Sequence, residues 1–314
     1  MCASVNSCPL CRSTEFTVAG RAKVSDLVLL YEKMGISTAK MFSGIDEMHL
    51  LKCPDCDLMF FNPMISAGSD LYEALQRSRG YYLADKAEYS FAKRFIKPSD
   101  DVLEIGCGTA AFARLISPRS YRGLEKNASL AGKSLEGIEI SDETLQHYAC
   151  RYKRKNDVVC MFQVLEHVPD VRVFLEDAMT CLKPGGILIV SVPSADSFLR
   201  FMPNNALNLP PHHITWWTDR CLRNVAGYLG ASIVEMGHQE LEKEHAKYYL
   251  PALWRGLLMQ RNKNSMELID AVFNERAAAA ILAKLSVSMQ AILGNQLLGV
   301  RGHSVTIVYK KGSE

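Results

Sequence analysis

The residues with the clearest chemical use lie in one run, residues 101–111, with the sequence DVLEIGCGTAA. The run starts as a short apolar strand, turns at Gly106 and Gly108, and continues into a predicted helix. Because glycine has no Cβ, a ligand can approach this backbone closely, and the N–H groups of the turn point towards it. With the small residue Ala111, the run fits the G-x-G-x-x-G/A pattern of nucleotide-binding turns.

Two acidic residues flank this turn and narrow the choice of cofactor. Glu125 ends the next predicted strand, where a carboxylate can accept both hydroxyls of an adenosine ribose. NAD enzymes use the same contact, so Glu125 alone does not define the cofactor. Glu104 precedes Gly106 by two residues, and its charge would repel a pyrophosphate but attract the sulfonium and ammonium of S-adenosylmethionine (SAM). The pair therefore favours SAM over a nicotinamide cofactor and disfavours an NAD(P)-dependent oxidoreductase.

Two cysteine pairs near the N-terminus have metal-ligand spacing. The first is Cys8-Pro9-Leu10-Cys11 and the second is Cys53-Pro54-Asp55-Cys56. Each pair can offer two thiolates, and together they complete a tetrahedral zinc site of four cysteines without an open position. We therefore predict a structural zinc ion. Four unconnected thiols or two local disulfides are the alternative, and the segment has too little positive charge to favour nucleic-acid binding.

A stiff loop supplies candidate groups for proton transfer. It runs from residue 208 to residue 217 with the sequence NLPPHHITWW, so that two prolines precede His212 and His213. Histidine is the natural base near neutral pH, and either of these two could deprotonate an alcohol, while a following tryptophan could stack on a sugar ring. His167, beside Glu166, is a second candidate base; a structural role is the alternative for all three histidines.

The order of predicted elements indicates the fold class. Strands and helices alternate after residue 98, which is typical of a parallel sheet covered by helices. The predicted strands are Val102–Ile105, Tyr121–Glu125, Gly137–Ile140, Asp157–Phe162 and Gly186–Val192. The predicted helices between them are Ala110–Ile116, Ala128–Lys133, Asp142–Ala149 and Val171–Leu182. A helix at Thr218–Leu229 and two strands, Ala231–Met236 and His303–Tyr309, follow, with a helical block between those two strands.

Composition excludes several classes of protein. The 314 residues include 48% hydrophobic and 22% charged residues with a net charge of +2, so no surface for nucleic acid is expected. No apolar run is long enough to span a bilayer, and the first residues do not look like a signal peptide. Ten cysteines in such a chain argue against a disulfide scaffold, and we expect a cytoplasmic protein.

Four motifs in order resemble the class I SAM-dependent methyltransferases. They are E-I-G-C-G-T, the acid of G-L-E, Q-V-L-E-H-V and L-K-P-G-G, and the resemblance covers roughly residues 80–240 and the closing strand. It implies an α/β, Rossmann-like, seven-stranded sheet with an antiparallel final strand. It also implies that Gly106 and Gly108 lie under the cofactor, that Glu104 faces its methionine end, that Glu125 takes the ribose hydroxyls and that Gln163 lies beside it. The adenine contact stays open among Ser141, Asp142 and Glu143.

The N-terminal segment extends the resemblance. The C-P-x-C pairs, the tyrosines of Arg79-Gly80-Tyr81-Tyr82 and the P-P-H-H-x-x-x-W loop are similar to those of bacterial methyltransferases associated with polysaccharides and other sugars. Tyr81 and Tyr82 could cover the sulfonium by cation–π contact, with helix packing as the alternative. The resemblance implies methyl transfer to a small, sugar-containing acceptor, with oxygen favoured over nitrogen or carbon. A non-catalytic SAM-binding protein is the competing hypothesis.

These arguments divide the chain into five predicted parts. They are a zinc-ribbon-like subdomain (1–65), a helical cofactor cover (66–97), the SAM-binding core (98–239), a helical insertion (240–300) and the final core strand (301–314). The insertion is predicted to act as a substrate lid or as the surface of a homodimer.

Overall fold

The computed structural model describes residues 6–76, 86–127, 138–261, 266–270, 273, 277–298 and 301–313. Its first part contains three strands and three helices, in the order β1 (Thr17–Lys23), α1 (Val24–Glu32), β2 (Glu47–Lys52), β3 (Met59–Asn62), α2 (Ser69–Gln76) and α3 (Ala87–Lys93). The alternating part follows as β4 (Asp101–Ile105), β5 (Ser120–Leu124), β6 (Glu139–Ser141), α4 (Leu145–Arg151), β7 (Asn156–Phe162), α5 (Val171–Cys181) and β8 (Leu182–Pro193). The remaining elements are β9 (Thr215–Trp216), α6 (Asp219–Tyr228), β10 (Ala231–Glu240), α7 (Lys243–Arg261), β11 (Met266–Glu267), α8 (Ala277–Leu298) and β12 (Arg301–Lys311).

Seven of these strands form one sheet in the order β10-β12-β8-β7-β4-β5-β6. The strands from β8 to β6 are parallel, and β12 is antiparallel to both of its neighbours, β8 and β10. The predicted α/β sheet with an antiparallel final strand is therefore confirmed. Because the chain runs from β4 to one side of the sheet and later returns to β7 on the other, the carboxyl ends of β4, β5 and β7 meet at a topological switch point, where such sheets bind ligands.

The apolar content of the central strands explains why the sheet is buried. In β7 and β8, Val158–Phe162 and Leu188–Val192 are buried on both faces, as expected of strands covered by helices on each side. Polar side chains begin the helices that cover them: Asp170 accepts from the N–H of Val173, and Thr218 accepts from the N–H of Cys221 at 3.0 Å. No helix in the described part of the chain is both long and apolar enough to cross a membrane.

A second sheet joins distant parts of the chain in the order β11-β1-β2-β3-β9. Its centre comes from the first 62 residues, but β9 follows the histidine loop and β11 lies between α7 and α8. Trp216 of β9 pairs with Met59, and Met266 of β11 pairs with Gly20. The N-terminal unit is therefore completed by strands from the two later predicted parts, whose boundaries stay predictions.

Local structure departs from the sequence prediction after the glycine turn. The predicted helix Ala110–Ile116 is wrong: the structure has only a single 3-10 turn there, Ala113–Leu115, and Ala110, the predicted first residue, has a positive φ of 53°, outside the right-handed helical region. Within the predicted helical cover, α2 and α3 are helical. The predicted helix Ala128–Lys133 lies outside the described residues.

Candidate active site

The glycine turn after β4 is held against the next strand. Gly106 and Gly108 have φ angles of 69° and 53°, and the N–H groups of Gly106 and Cys107 donate to the Leu124 carbonyl at 2.8 and 3.2 Å. A Cβ at Gly106 would lie 2.5 Å from Cγ2 of Val164, in the turn after β7. The glycine is thus required both for its φ and for the close approach of the two turns.

Glu125 reaches from the end of β5 to the glycine turn. One carboxylate oxygen accepts from the N–H of Gly108 at 2.9 Å, and the other accepts from the N–H of Asn127 at 2.9 Å. Glu125 and the glycine turn, which the sequence predicts to bind the same ligand, are therefore in direct contact. A carboxylate in this place can hold hydroxyl groups that lie over the turn.

Glu104 differs from a solvated acid at the end of a strand. Its side chain is 1% exposed and accepts a hydrogen bond from the Tyr121 hydroxyl. Burial raises the pKa of Glu104 to about 8, against the smaller opposing effects of Tyr121 and Lys86. Since a nearby cation lowers the pKa of a carboxyl group, a cationic ligand at this place would convert Glu104 to its charged form.

Gln163 begins the turn that follows β7. It has a positive φ of 57°, and its side-chain amide donates to Glu88 Oε1 at 3.3 Å and to Ser304 Oγ at 3.2 Å. Glu88 and Ser304 also border a cavity of about 540 Å³ between α3, β10 and β12. The side-chain amide of Gln163 is therefore directed towards the side of the sheet that borders this cavity.

Three histidines meet beside that turn. His167 contributes from the turn itself, and His212 and His213 come from the proline-rich loop. One ligand-capable nitrogen from each lies within 4.8 Å of the others, and the rings of His212 and His213 stack with centroids 4.6 Å apart. Glu166 is buried next to them, with Oε1 3.9 Å from His167 Nε2 and 3.8 Å from His213 Nε2. The three predicted bases thus form one cluster with a carboxyl group.

Burial controls the protonation of this cluster. It lowers the pKa of His167 to about 4 and that of His212 to about 3, and it lowers the pKa of His213 well below the usual value. It raises the pKa of Glu166 to about 8. At neutral pH the imidazoles are accordingly unprotonated and can offer lone pairs.

The histidine loop is fixed by the N-terminal unit. The hydroxyl of Tyr31, on α1, lies 2.8 Å from the Ala206 carbonyl and 3.0 Å from the Leu209 carbonyl, just before the prolines. After the histidines, the indole N–H of Trp216 donates to the Asn208 carbonyl at 2.8 Å. Both anchors are buried side chains, so the N-terminal sheet and helix determine where the loop lies.

Comparison with known families identifies the domain that carries this site. A family model described as a methyltransferase domain matches residues 75–236, which is more than half of the chain. The chain belongs to this methyltransferase family. The matched range contains the glycine turn, Glu125 and the three histidines.

Named relatives of the methyltransferase domain are distant. A probable S-adenosylmethionine-dependent methyltransferase of Mycolicibacterium smegmatis is 30% identical over 129 residues, which are 36% of this chain and 44% of that protein. A ubiquinone biosynthesis O-methyltransferase of Escherichia coli is 26% identical over 164 residues, which are 44% of this chain and 65% of that protein. The chain thus spans about half to two thirds of the length of these relatives. A SAM-dependent methyltransferase structure from Archaeoglobus fulgidus has a TM-score of 0.48 and 16% identity, and the match covers 77% of this chain and 99% of that one.

The four metal-spaced cysteines of the chain also come together. The Sγ atoms of Cys8 and Cys56 are 3.5 Å apart, those of Cys11 and Cys53 are 3.4 Å apart, and all four lie within 4.8 Å of one another. A tetrahedral zinc ion with Zn–S bonds of about 2.3 Å separates its sulfurs by about 3.8 Å, so the cluster fits such an ion. Burial raises the pKa of the Cys11 thiol to about 11. A cation bound by the four sulfurs would favour the thiolate form and so offset this effect.

The two cysteine turns have the same local geometry. The residue after each pair, Arg12 or Asp57, has a positive φ of 66° or 67°, and its N–H donates to the carbonyl of the first cysteine of the pair at 3.0 Å. The second pair also touches the methyltransferase core, where Asn224 of α6 donates to the Cys56 carbonyl at 3.3 Å. The cluster therefore sits at the junction of the N-terminal unit and α6.

Other residues that the sequence assigns to ligand binding have different outcomes. Trp216 is only 6% exposed and Trp217 is fully buried, so the prediction that a tryptophan stacks on a sugar is wrong: both rings pack in the protein core. Tyr81 and Tyr82 lie outside the described residues. The choice of Ser141, Asp142 or Glu143 for the adenine contact stays a prediction.

Sequence reasoning also missed residues that share the site. In the sequence, Glu166 is notable only as the neighbour of His167. Its complete burial in the structure is what shows that it belongs to the histidine cluster. A third group with metal-ligand spacing, Glu242, His245 and His303, forms between the start of α7 and β12, and His303 helps to lower the pKa of His213. The long sequence separation of His303 from the other two residues hid their proximity.

Proposed function

We propose that the protein is a SAM-dependent methyltransferase that transfers a methyl group to an oxygen atom of a small acceptor. One arrangement carries this proposal: the glycine turn, held by Glu125, contacts through Gly106 and Val164 the turn that bears His167, one member of the histidine cluster. A donor bound over the glycine turn would then lie next to groups able to activate an acceptor.

The reaction is an in-line displacement. The acceptor oxygen forms a bond to the methyl carbon while the carbon–sulfur bond breaks, and the bonding pair stays on sulfur to give S-adenosylhomocysteine. The hydroxyl proton must leave at or before this step. Holding the acceptor in line with the C–S bond supplies most of the rate, and removal of the proton supplies the rest.

The histidine cluster is the proposed activator of the acceptor. His167 and His213 have side chains that are 14% and 12% exposed, whereas His212 is more deeply buried. Either of the first two can therefore meet an acceptor hydroxyl that enters the cleft. Burial keeps both imidazoles unprotonated at neutral pH, the form that can accept a hydrogen bond from an acceptor hydroxyl.

The acceptor class is inferred from two sources. The Escherichia coli relative is named as an O-methyltransferase, which supports oxygen as the acceptor atom. The resemblance of the cysteine pairs and the P-P-H-H loop supports a sugar-containing acceptor. We further propose that the four clustered cysteines hold one structural zinc ion, since all four sulfurs are engaged and no position is left for a substrate.

The experiment has two stages. Calorimetry with SAM, S-adenosylhomocysteine and NAD tests the cofactor, and binding of NAD without SAM would contradict the proposal. Transfer of a labelled methyl group from SAM is then measured with sugar nucleotides that carry free hydroxyl groups, with amino-sugar counterparts and with a catechol. We expect product methylated on oxygen, located by NMR, and methyl found only on nitrogen or carbon would overturn the acceptor assignment.

A further inference from the structure

Three imidazoles and a carboxyl group converge beside the turn that follows β7. One nitrogen from each of His167, His212 and His213 lies within 4.8 Å of the others. The Glu166 Oε1 atom lies 3.8–3.9 Å from the Nε2 atoms of His167 and His213. We infer that Glu166, His167, His212 and His213 form a binding site for a divalent transition-metal cation.

The outer contacts of the histidines resemble those of metal ligands. His167 Nδ1 lies 2.6 Å from the His212 carbonyl, His212 Nδ1 lies 2.8 Å from the Leu207 carbonyl, and His213 Nδ1 lies 3.1 Å from Asn208 Oδ1. An oxygen of this kind only accepts, so each Nδ1 carries its hydrogen and each Nε2 carries the lone pair. Metal-bound histidines are usually oriented by such a contact.

Glu166 supplies an independent observation. It is fully buried, and neither carboxyl oxygen has a hydrogen-bond partner among the described residues. A buried carboxyl group without a partner is costly, and native structures rarely keep one without a function. A dication between Glu166 and the imidazoles would pair its charge and satisfy its oxygens.

The distances suit a cation after a small adjustment. Bonds of about 2.0–2.1 Å to tetrahedral ligands separate the ligand atoms by about 3.4 Å. The separations between Glu166 and the two histidines exceed this by only about half an ångström, so side-chain rotations suffice. Three imidazoles with one carboxylate favour Zn²⁺, Co²⁺ or Fe²⁺ over Mg²⁺ or Ca²⁺, which prefer oxygen ligands.

The side chains of His167 and His213 are partly exposed, so an acceptor could reach a cation bound between them. With the four side chains as ligands, a fifth coordination position at the exposed edge of His167 and His213 could take the acceptor hydroxyl, and coordination lowers the pKa of that hydroxyl. The metal would then activate the acceptor in place of a histidine base. This role rests on the proposed methyl transfer, whereas metal binding itself does not.

The test counts metal ions on the full-length protein and uses Co²⁺ alone as the probe. Chelator-stripped wild type should bind two equivalents: one with the thiolate-to-cobalt charge-transfer band of a cysteine site, and one with visible d–d absorption but no such band. Glu166→Gln and His213→Gln should each lose only the second equivalent. Cys56→Ser should disturb only the first, and His238→Ala, a histidine paired with Asp219 outside the cluster, should keep both.

SAM affinity by calorimetry shows that each variant is folded. A wild type that binds no cobalt beyond the thiolate site would overturn the inference, as would unchanged binding in both Glu166→Gln and His213→Gln. Methyl transfer is assayed separately with and without restored metal. If the protein binds the second ion but transfers no methyl group, the proposed function is refuted and the metal site is retained. If it transfers methyl groups without metal and does not bind that ion, the metal site is refuted and the proposed function is retained.

Discussion

Gly106 and Val164 are in contact across the carboxyl edge of the sheet, where the turn after β4 meets the turn after β7. A Cβ built on Gly106 would lie 2.5 Å from Val164 Cγ2, closer than non-bonded carbon atoms approach in proteins. The contact links the glycine turn to the histidine cluster, because the backbone N–H of His167 donates to the Val164 carbonyl at 3.0 Å. A shift of either turn is therefore transmitted to the other.

We expect Gly106→Ala to abolish measurable SAM binding or weaken it at least about tenfold, since forced overpacking costs about 1–3 kcal/mol on top of the strained φ. Gly185→Ala is the matched control: its φ is 74°, but no atom lies within 4 Å of the added Cβ. The control isolates the φ cost and should leave SAM affinity unchanged. Adding Val164→Ala to Gly106→Ala should restore part of the affinity, and failure to do so would show that φ alone is responsible.

Glu125→Ala should weaken SAM binding by ~1–3 kcal/mol, because a charged hydrogen-bond acceptor is lost. In this structure the same carboxylate also orders the N–H groups of Gly108 and Asn127. Glu139→Ala removes an exposed acid from the adjacent strand β6 and is expected to change affinity by less than about 0.5 kcal/mol. Calorimetry measures the SAM affinity of both variants, and equal affinities would mean that Glu125 does not contact the cofactor.

The sequence predicts the core of the fold well because its signals are local. The alternation of apolar strands with helices, together with four motifs in order, is enough to predict the seven-stranded sheet, and the spacing of Cys8, Cys11, Cys53 and Cys56 predicts a cluster that the structure forms. The alternation and each C-x-x-C pair are recognisable within a short stretch of the chain. The two pairs lie 42–48 residues apart, but because each offers half of a four-ligand site, their meeting can be predicted without knowing the strand pairing.

What could not be predicted depends on long-range pairing. Nothing in the two-residue strand Thr215–Trp216 indicates that it extends a sheet made from the first 62 residues. Glu166 looks like an ordinary turn acid until its burial is known. His303 and His245 lie far apart in sequence and meet only because β12 returns along the sheet to α7, with ring centroids 4.6 Å apart.

SAM affinity should rise with pH through Glu104. Its pKa of about 8 in the folded chain lies above its usual value, and a bound cation favours the charged form, so binding releases a proton below that pH. Affinity should fall by up to about tenfold per pH unit below the folded pKa, and Glu104→Gln should flatten the profile. Calorimetry in two buffers with different ionisation enthalpies counts the released proton, and identical heats in both would contradict the assignment.

The same pKa has the opposite effect on the ligand-free fold. Between the usual value of 4.5 and about 8, the folded chain holds a proton on Glu104 that the unfolded chain has lost. The contribution of Glu104 to the free energy of unfolding is therefore full at low pH and declines as the pH rises through this window. Urea unfolding of wild type and Glu104→Gln across the window tests this: the wild type should lose stability relative to Glu104→Gln as the pH rises, and the two proteins should be most alike at low pH.

Loss of one cysteine ligand should release the proposed structural zinc ion. Cys56→Ser is expected to lose one equivalent of zinc and to lower the melting temperature, since binding of a structural ion contributes directly to folding. Cys150→Ser changes an exposed thiol and should match the wild type in both measurements. Elemental analysis after dialysis checks the metal content, and a Cys56→Ser protein with full zinc content would show that the ion lies elsewhere.

Tyr31→Phe should lower kcat for methyl transfer without weakening SAM binding. The Tyr31 hydroxyl contacts the carbonyls of Ala206 and Leu209, so its removal loosens the loop that carries His212 and His213 but leaves the glycine turn intact. Tyr309→Phe is the matched control, because it removes another buried hydroxyl, one that donates to the Leu222 carbonyl in α6 at 2.6 Å. Each change should cost about 1 kcal/mol of unfolding free energy. Only Tyr31→Phe should change kcat, and an equal loss of kcat in both variants would mean that stability, not the position of the loop, limits the rate.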